Sequence, residues 1–69
     1  MNANPTLLQM KFARVVDLFS QYAKLPLSDS LAIFYSSELY PLIKTGVSDM
    51  HCMSDAYLAE ELLLEYQRT

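Results

Sequence analysis

From Leu8 onward, apolar residues return at helical rather than strand spacing. At 100° per residue, Leu8, Phe12, Val15, Val16, Phe19, Tyr22 and Ala23 gather on one face, while Lys11, Arg14, Asp17, Gln21 and Lys24 lie elsewhere. That stripe predicts an amphipathic helix to about Lys24, roughly 30 Å long at 1.5 Å per residue. Asn4-Pro5 opens it, because Asn suits the N-cap and Pro at the first helical position lacks an N–H that would be unsatisfied anyway. Pro26 ends it, since the residue before a proline is pushed out of the helical region.

The middle of the chain carries a less clean pattern. Ser28 is placed as an N-cap, with Asp29 favourable at the positive end of the helix dipole. Leu31, Phe34, Tyr35, Leu39 and Leu42 share a face, and Ile33 points the other way. This helix is therefore either covered on two sides or leaves Ile33 exposed. Pro41 would remove a backbone bond from an unbroken helix. The pattern predicts a break near Ser36-Ser37 and a short helix over roughly Glu38–Lys44, with Gly46 in a left-handed C-terminal cap. Ser54 then caps a final helix with Asp55 in its first turn and Leu58, Ala59, Leu62, Leu63 and Tyr66 as its inner stripe. There is no useful β-alternation, internal repeat or low-complexity segment. The expectation is one all-α domain over residues 1–69: a small bundle of three to four helices, with a long first helix, a broken middle helix and a C-terminal helix.

Composition supports a folded chain. Of 69 residues, 52% are hydrophobic, eight are aromatic and one is Gly. That is enough apolar surface to offset the ordering entropy. A chain this short still buries only about 60% of its unfolded surface, so its stability is marginal. Burying part of the remainder against a partner or a second copy would help. The single cysteine cannot form an internal disulfide. No apolar run approaches the ~20 residues of a membrane span, and the N-terminus lacks the pattern of a secretory signal. A cytoplasmic, soluble protein is expected.

Net charge is −3 and unevenly placed: residues 1–35 carry +1 and residues 36–69 carry −4. An acidic chain without a basic cluster is poorly suited to phosphate backbones. A small helical DNA-binding regulator is an alternative reading, but its recognition segment, Glu38 to Lys44, offers one basic residue and a proline. With one Gly, no phosphate-cradling loop can be built.

The rare residues concentrate in Val47 to Asp55, which holds the only His, the only Cys and two of the four Met. A metal- or thiol-dependent site at His51/Cys52 is thus the second alternative. Zinc wants about four ligands in a tetrahedron, and His51 and Cys52 would have to recruit Asp49 or Asp55. A Cys–His nucleophile needs the imidazole within reach of sulfur and a third group to orient it, which adjacent residues seldom achieve. The favoured expectation is structural. Cys52 and Met50 or Met53 fill space under the last helix, and His51 caps a helix end or donates to a backbone carbonyl. No catalytic residue, cofactor or metal is assigned.

Glu60, Glu61 and Glu65 are expected on a wet helix face, partly neutralised by Lys11, Arg14 or Lys24. Two apolar residues break that polar face. Tyr57 and Leu64 fall opposite the core stripe, among Glu60, Glu61 and Arg68. These five residues form the candidate partner-binding site, suited to a helix-in-groove contact or a self-contact. The partner is expected to be another protein of basic character, with a homo-oligomer as the alternative.

Three stretches carry a family resemblance: Leu7–Val16, Phe34–Tyr40, and Gly46–Leu62 with its GVSDMHCMSDAYLAEEL pattern. The chain resembles a family of short bacterial proteins catalogued as a domain of unknown function. The resemblance covers nearly the whole chain, which implies a complete protein, and carries over no catalytic residues. Family members look like small partners encoded beside larger proteins, sometimes ones resembling ADP-ribosyltransferases. By analogy this implies an antitoxin-like or regulatory partner.

Overall fold

The computed structural model describes residues 5–46 and 52–68, which form four α-helices and no strand. The expected Asn4 cap and the segment from Val47 to His51 lie outside the described residues. Helix α1 (Pro5–Ala23) begins at the proline and ends where Lys24 turns left-handed, at φ 58°. The Leu25 N–H then reaches back to the Ser20 carbonyl at 3.0 Å. This is the six-to-one bond of a Schellman cap. A side chain in that conformation costs about 1–2 kcal/mol. Leu25, packed against the core, offsets part of it.

Helix α2 (Leu27–Ser36) starts earlier than the sequence pattern suggests. Its N-cap is Pro26, with extended backbone, and Ser28 already lies inside the first turn. The Pro26 carbonyl accepts from both the Ser30 N–H at 3.0 Å and the Ser30 hydroxyl at 3.1 Å. Ser30 is fully buried, and with Phe34 and the half-buried Ile33 it makes the inner face of α2. Leu31, expected inside, lies exposed beside Leu27, and Tyr35, also expected inside, packs its ring against Phe34 and Tyr40 but leaves about half of itself at the surface. The reason is steric: a small Ser at the contact lets α2 approach α1, and its polar groups are satisfied locally. Hydrophobic periodicity alone ranks Leu above Ser for such a position and so picks the wrong flank.

Between α2 and helix α3 (Leu39–Thr45) the chain breaks as the Ser36-Ser37 pair predicts. The buried Ser37 hydroxyl donates to the Phe34 carbonyl and accepts from the Tyr40 N–H at 3.2 Å. One side chain thus serves the end of one helix and the start of the next. The break also resets the helical phase. Leu39 and Ile43 point inward, whereas Leu42, expected to continue the inner face, is 40% exposed. Gly46 closes α3 in the left-handed region at φ 74°, as expected for the only glycine.

Helix α4 (Asp55–Arg68) is capped by Ser54, whose hydroxyl accepts from the Tyr57 N–H at 3.1 Å. Leu58, Ala59 and Leu62 are buried, and Leu63 packs at their edge. Met53 also packs against the core, one residue before the cap. Cys52, expected as a filler beneath this helix, is instead exposed. Met53 and Leu58 occupy the two positions of a hydrophobic staple, and turning Met53 inward leaves its predecessor outside.

The core joins Phe12, Val15, Val16 and Phe19 of α1 to Phe34, Leu39, Ile43, Leu58, Ala59 and Leu62. Phe12, Phe34, Tyr35 and Tyr40 pack as a four-ring cluster with neighbouring centroids 4.8–5.4 Å apart. At the other end, Phe19 meets Tyr66 edge-on at 5.8 Å. Tyr22 and Tyr66, both expected in the inner stripes, remain partly exposed at its rim. A rim position lets an aromatic body pack while its hydroxyl stays near water.

Three variants test the joint and the first cap. Ser37→Ala removes a donor and an acceptor from buried backbone groups and is expected to cost about 1–2 kcal/mol. Ser36→Ala, at an exposed site, should change stability by less than about 0.5 kcal/mol. Lys24→Gly relieves the left-handed strain and is expected to add about 0.5–1 kcal/mol. Urea unfolding followed by circular dichroism reads all three.

Candidate interaction face on the last helix

Helix α4 runs parallel to α1. Asp55, at its start, sits beside Lys11 and Arg14 in the first half of α1, and Tyr66, near its end, sits against Phe19 in the second half. The Lys11 ammonium lies 3.0 Å from one Asp55 oxygen and the Arg14 guanidinium 2.7 Å from the other. The two cations are one turn apart on α1 and converge on one carboxylate. They were expected to neutralise Glu60, Glu61 or Glu65, yet their reach along α1 matches the start of α4. Burial pushes the Asp55 carboxyl up, but hydrogen bonds from Arg14 and Lys11, with their charges, outweigh it and hold it below its ordinary value.

Glu65 also has work inside the fold. Its carboxylate accepts from the Glu38 N–H at 2.9 Å and so satisfies an orphan donor at the start of α3. It is therefore not simply one more charge on a wet helix face. A groove of about 280 Å³ opens beside it, lined by Ile33, Ser36, Ser37, Leu62, Glu65 and Tyr66. Its one carboxylate is the one already engaged with α3, so the groove reads as a packing seam.

With α4 held at both ends, its outer face is set. Tyr57 is 44% exposed and Leu64 is 52% exposed, and Glu60 and Arg68 lie exposed along the same line. Glu61, half-buried, forms its edge. The ion pairs among the described residues all involve Asp55, and neither Glu60, Glu61 nor Arg68 takes part in one. The five residues singled out from the sequence thus share one side of one helix. Apolar contact area and unpaired charge of both signs alternate along it.

A second exposed apolar line, missed by the sequence pattern, runs along α2 through Leu27, Leu31 and Tyr35. Its i, i+4, i+8 spacing is visible in the sequence, but Leu31 and Tyr35 were assigned to the core and Leu27 to neither face. Of the residues of the alternative chemistry, Cys52 is exposed, and His51 and Asp49 lie outside the described residues. Among the described residues no group of three or more His, Cys, Asp or Glu is placed to hold a metal ion. No helix among them is long and apolar enough to cross a membrane.

The ion cluster predicts an acid-dependent loss of stability. Because the folded-state value of Asp55 is depressed, its contribution is fully present above the unfolded carboxylate value near ~3.9 and is lost as pH falls through the folded value. Asp55→Asn is expected to cost about 1 kcal/mol at neutral pH, a figure kept small because Arg14 is half exposed to solvent. The difference between variant and parent should vanish in strong acid. Urea midpoints measured across acid to neutral pH check this, and a gap that persists in strong acid contradicts it.

No protein-family model, curated protein or solved structure matches the chain.

Proposed function

We propose that the chain is a small, non-catalytic protein–protein interaction or regulatory module of the cytoplasm, consistent with an antitoxin-like partner of a larger protein. The observation that carries this reading is the outer face of α4. An aromatic ring and a Leu two turns apart stand exposed between Glu60, Glu61 and Arg68, with no internal partner for the charges. Apolar anchors spaced by two helical turns are the usual contacts of a helix lying in a groove. The flanking acids favour a basic partner, raising the rate of encounter more than the final affinity. The resemblance to short bacterial partner proteins points in the same direction.

The test is selective capture from the native host. The tagged chain is expected to retain a specific protein that Tyr57→Ala and Leu64→Asp each reduce by about tenfold or more, given the weight of central aromatic and apolar anchors. Both positions are exposed, so circular dichroism should show unchanged folding. Capture should weaken with rising salt if the partner is basic. Equal capture by parent and variants would defeat the assignment of this face.

A further inference from the structure

The exposed line on α4 has an internal symmetry that its apolar content alone does not explain. Leu64 sits at its centre, with Glu60 four residues before it and Arg68 four residues after it. Each charge is about 6 Å from Leu64 along the helix axis, at 1.5 Å per residue. All three are exposed, and the two charges stand too far apart to pair within one helix. A negative and a positive charge equidistant from an apolar centre complement their own reversed image.

We propose that two copies of this chain pair through α4, antiparallel, about a two-fold axis at Leu64. This inference rests on the reading of α4 as an interaction face and names its occupant. At the axis Leu64 meets Leu64 of the second copy. Glu60 then lies opposite Arg68 of the second copy, and Arg68 opposite its Glu60, so both charge pairs form at once. Such an interface is isologous, as two-fold symmetry demands. Arg68 of the second copy also falls within a turn of Tyr57 and Glu61, which gives the guanidinium a ring face and a second carboxylate.

Other arrangements are less favourable. Parallel pairing in register sets Glu60 against Glu60 and Arg68 against Arg68, which is repulsive at both ends. Shifting the antiparallel register by one turn places Leu64 against Glu60 in one direction or Arg68 in the other, and leaves the charges unmatched. The apolar area is small, so the dimer belongs with weak, concentration-dependent interfaces. It also fits a 69-residue chain that has little core to spare.

Charge exchange tests the pairing. Sedimentation of the full chain from micromolar to millimolar concentration should show a reversible dimer. Glu60→Arg and Arg68→Glu each replace both attractions with repulsions and should weaken self-association about 10- to 100-fold. An equimolar mixture of the two variants restores opposite charges across the axis. It is expected to form a heterodimer within about threefold of the parent affinity. A parent chain that stays monomeric at millimolar concentration overturns the inference, as does a dimer indifferent to either reversal, or single-variant losses that mixing leaves unrescued. A monomer that still captures a host protein through Tyr57 and Leu64 overturns this pairing and leaves the proposed function standing. A charge-dependent dimer that captures nothing supports the pairing and removes the larger partner.

Discussion

Everything on the surface of this protein depends on how α4 is held against α1. Lys11 and Arg14 grip Asp55 at the start of α4, and Phe19 receives Tyr66 near its end. Between these points Leu58, Ala59 and Leu62 are buried. A helix held at both ends and packed between them has little freedom to rotate about its axis. Its outer residues are therefore determined by its inner ones. Parallel neighbours also require a long connection, and residues 24 to 54 supply it as two further helices and their joints.

Those joints show how a small domain compensates for a limited core. Ser37 serves both α2 and α3 with one hydroxyl, and Glu65 reaches across from α4 to the exposed N–H at the start of α3. At the buried Ser37 joint, a backbone group left unpaired costs about 1–3 kcal/mol. That is a large share of the stability such a chain can have. The four-ring cluster of Phe12, Phe34, Tyr35 and Tyr40 then ties the joint to α1. The acidic residues divide accordingly: Asp55 and Glu65 hold the fold together, whereas Glu60 and Glu61 remain at the outer face of α4.

Much of this was legible in the residues. Pro5, the serine break, Gly46 and the Ser54 cap marked the helix ends because each acts through bonds to its own neighbours. The inner stripes of α1 and α4 were legible too, since most of the rest of each helix is polar, with Leu7, Met10, Tyr57 and Leu64 as the large apolar exceptions. The inner face of α2 was not. Leu27, Leu31, Ile33, Phe34 and Tyr35 offer more apolar positions than one helix face can bury, and Ser30 takes a place that periodicity reserves for a larger side chain. Leu42 was expected inside and Ile43 takes that place instead, because the break at Ser37 changes the phase between two helices that a single pattern had joined.

The sequence by itself determined the helical class, the four-helix segmentation and the amphipathic character of α1 and α4. These follow from local bonding and from periodicity within one helix. It also placed Tyr57, Glu60, Glu61, Leu64 and Arg68 together, because positions three, four and seven apart share a helical face. Only the tertiary structure decided which charges were left for that face. Asp55 lies more than 40 residues from Lys11 and Arg14, and Glu65 lies 27 residues from Glu38. Contacts across such separations depend on how whole helices pack. No local pattern encodes them.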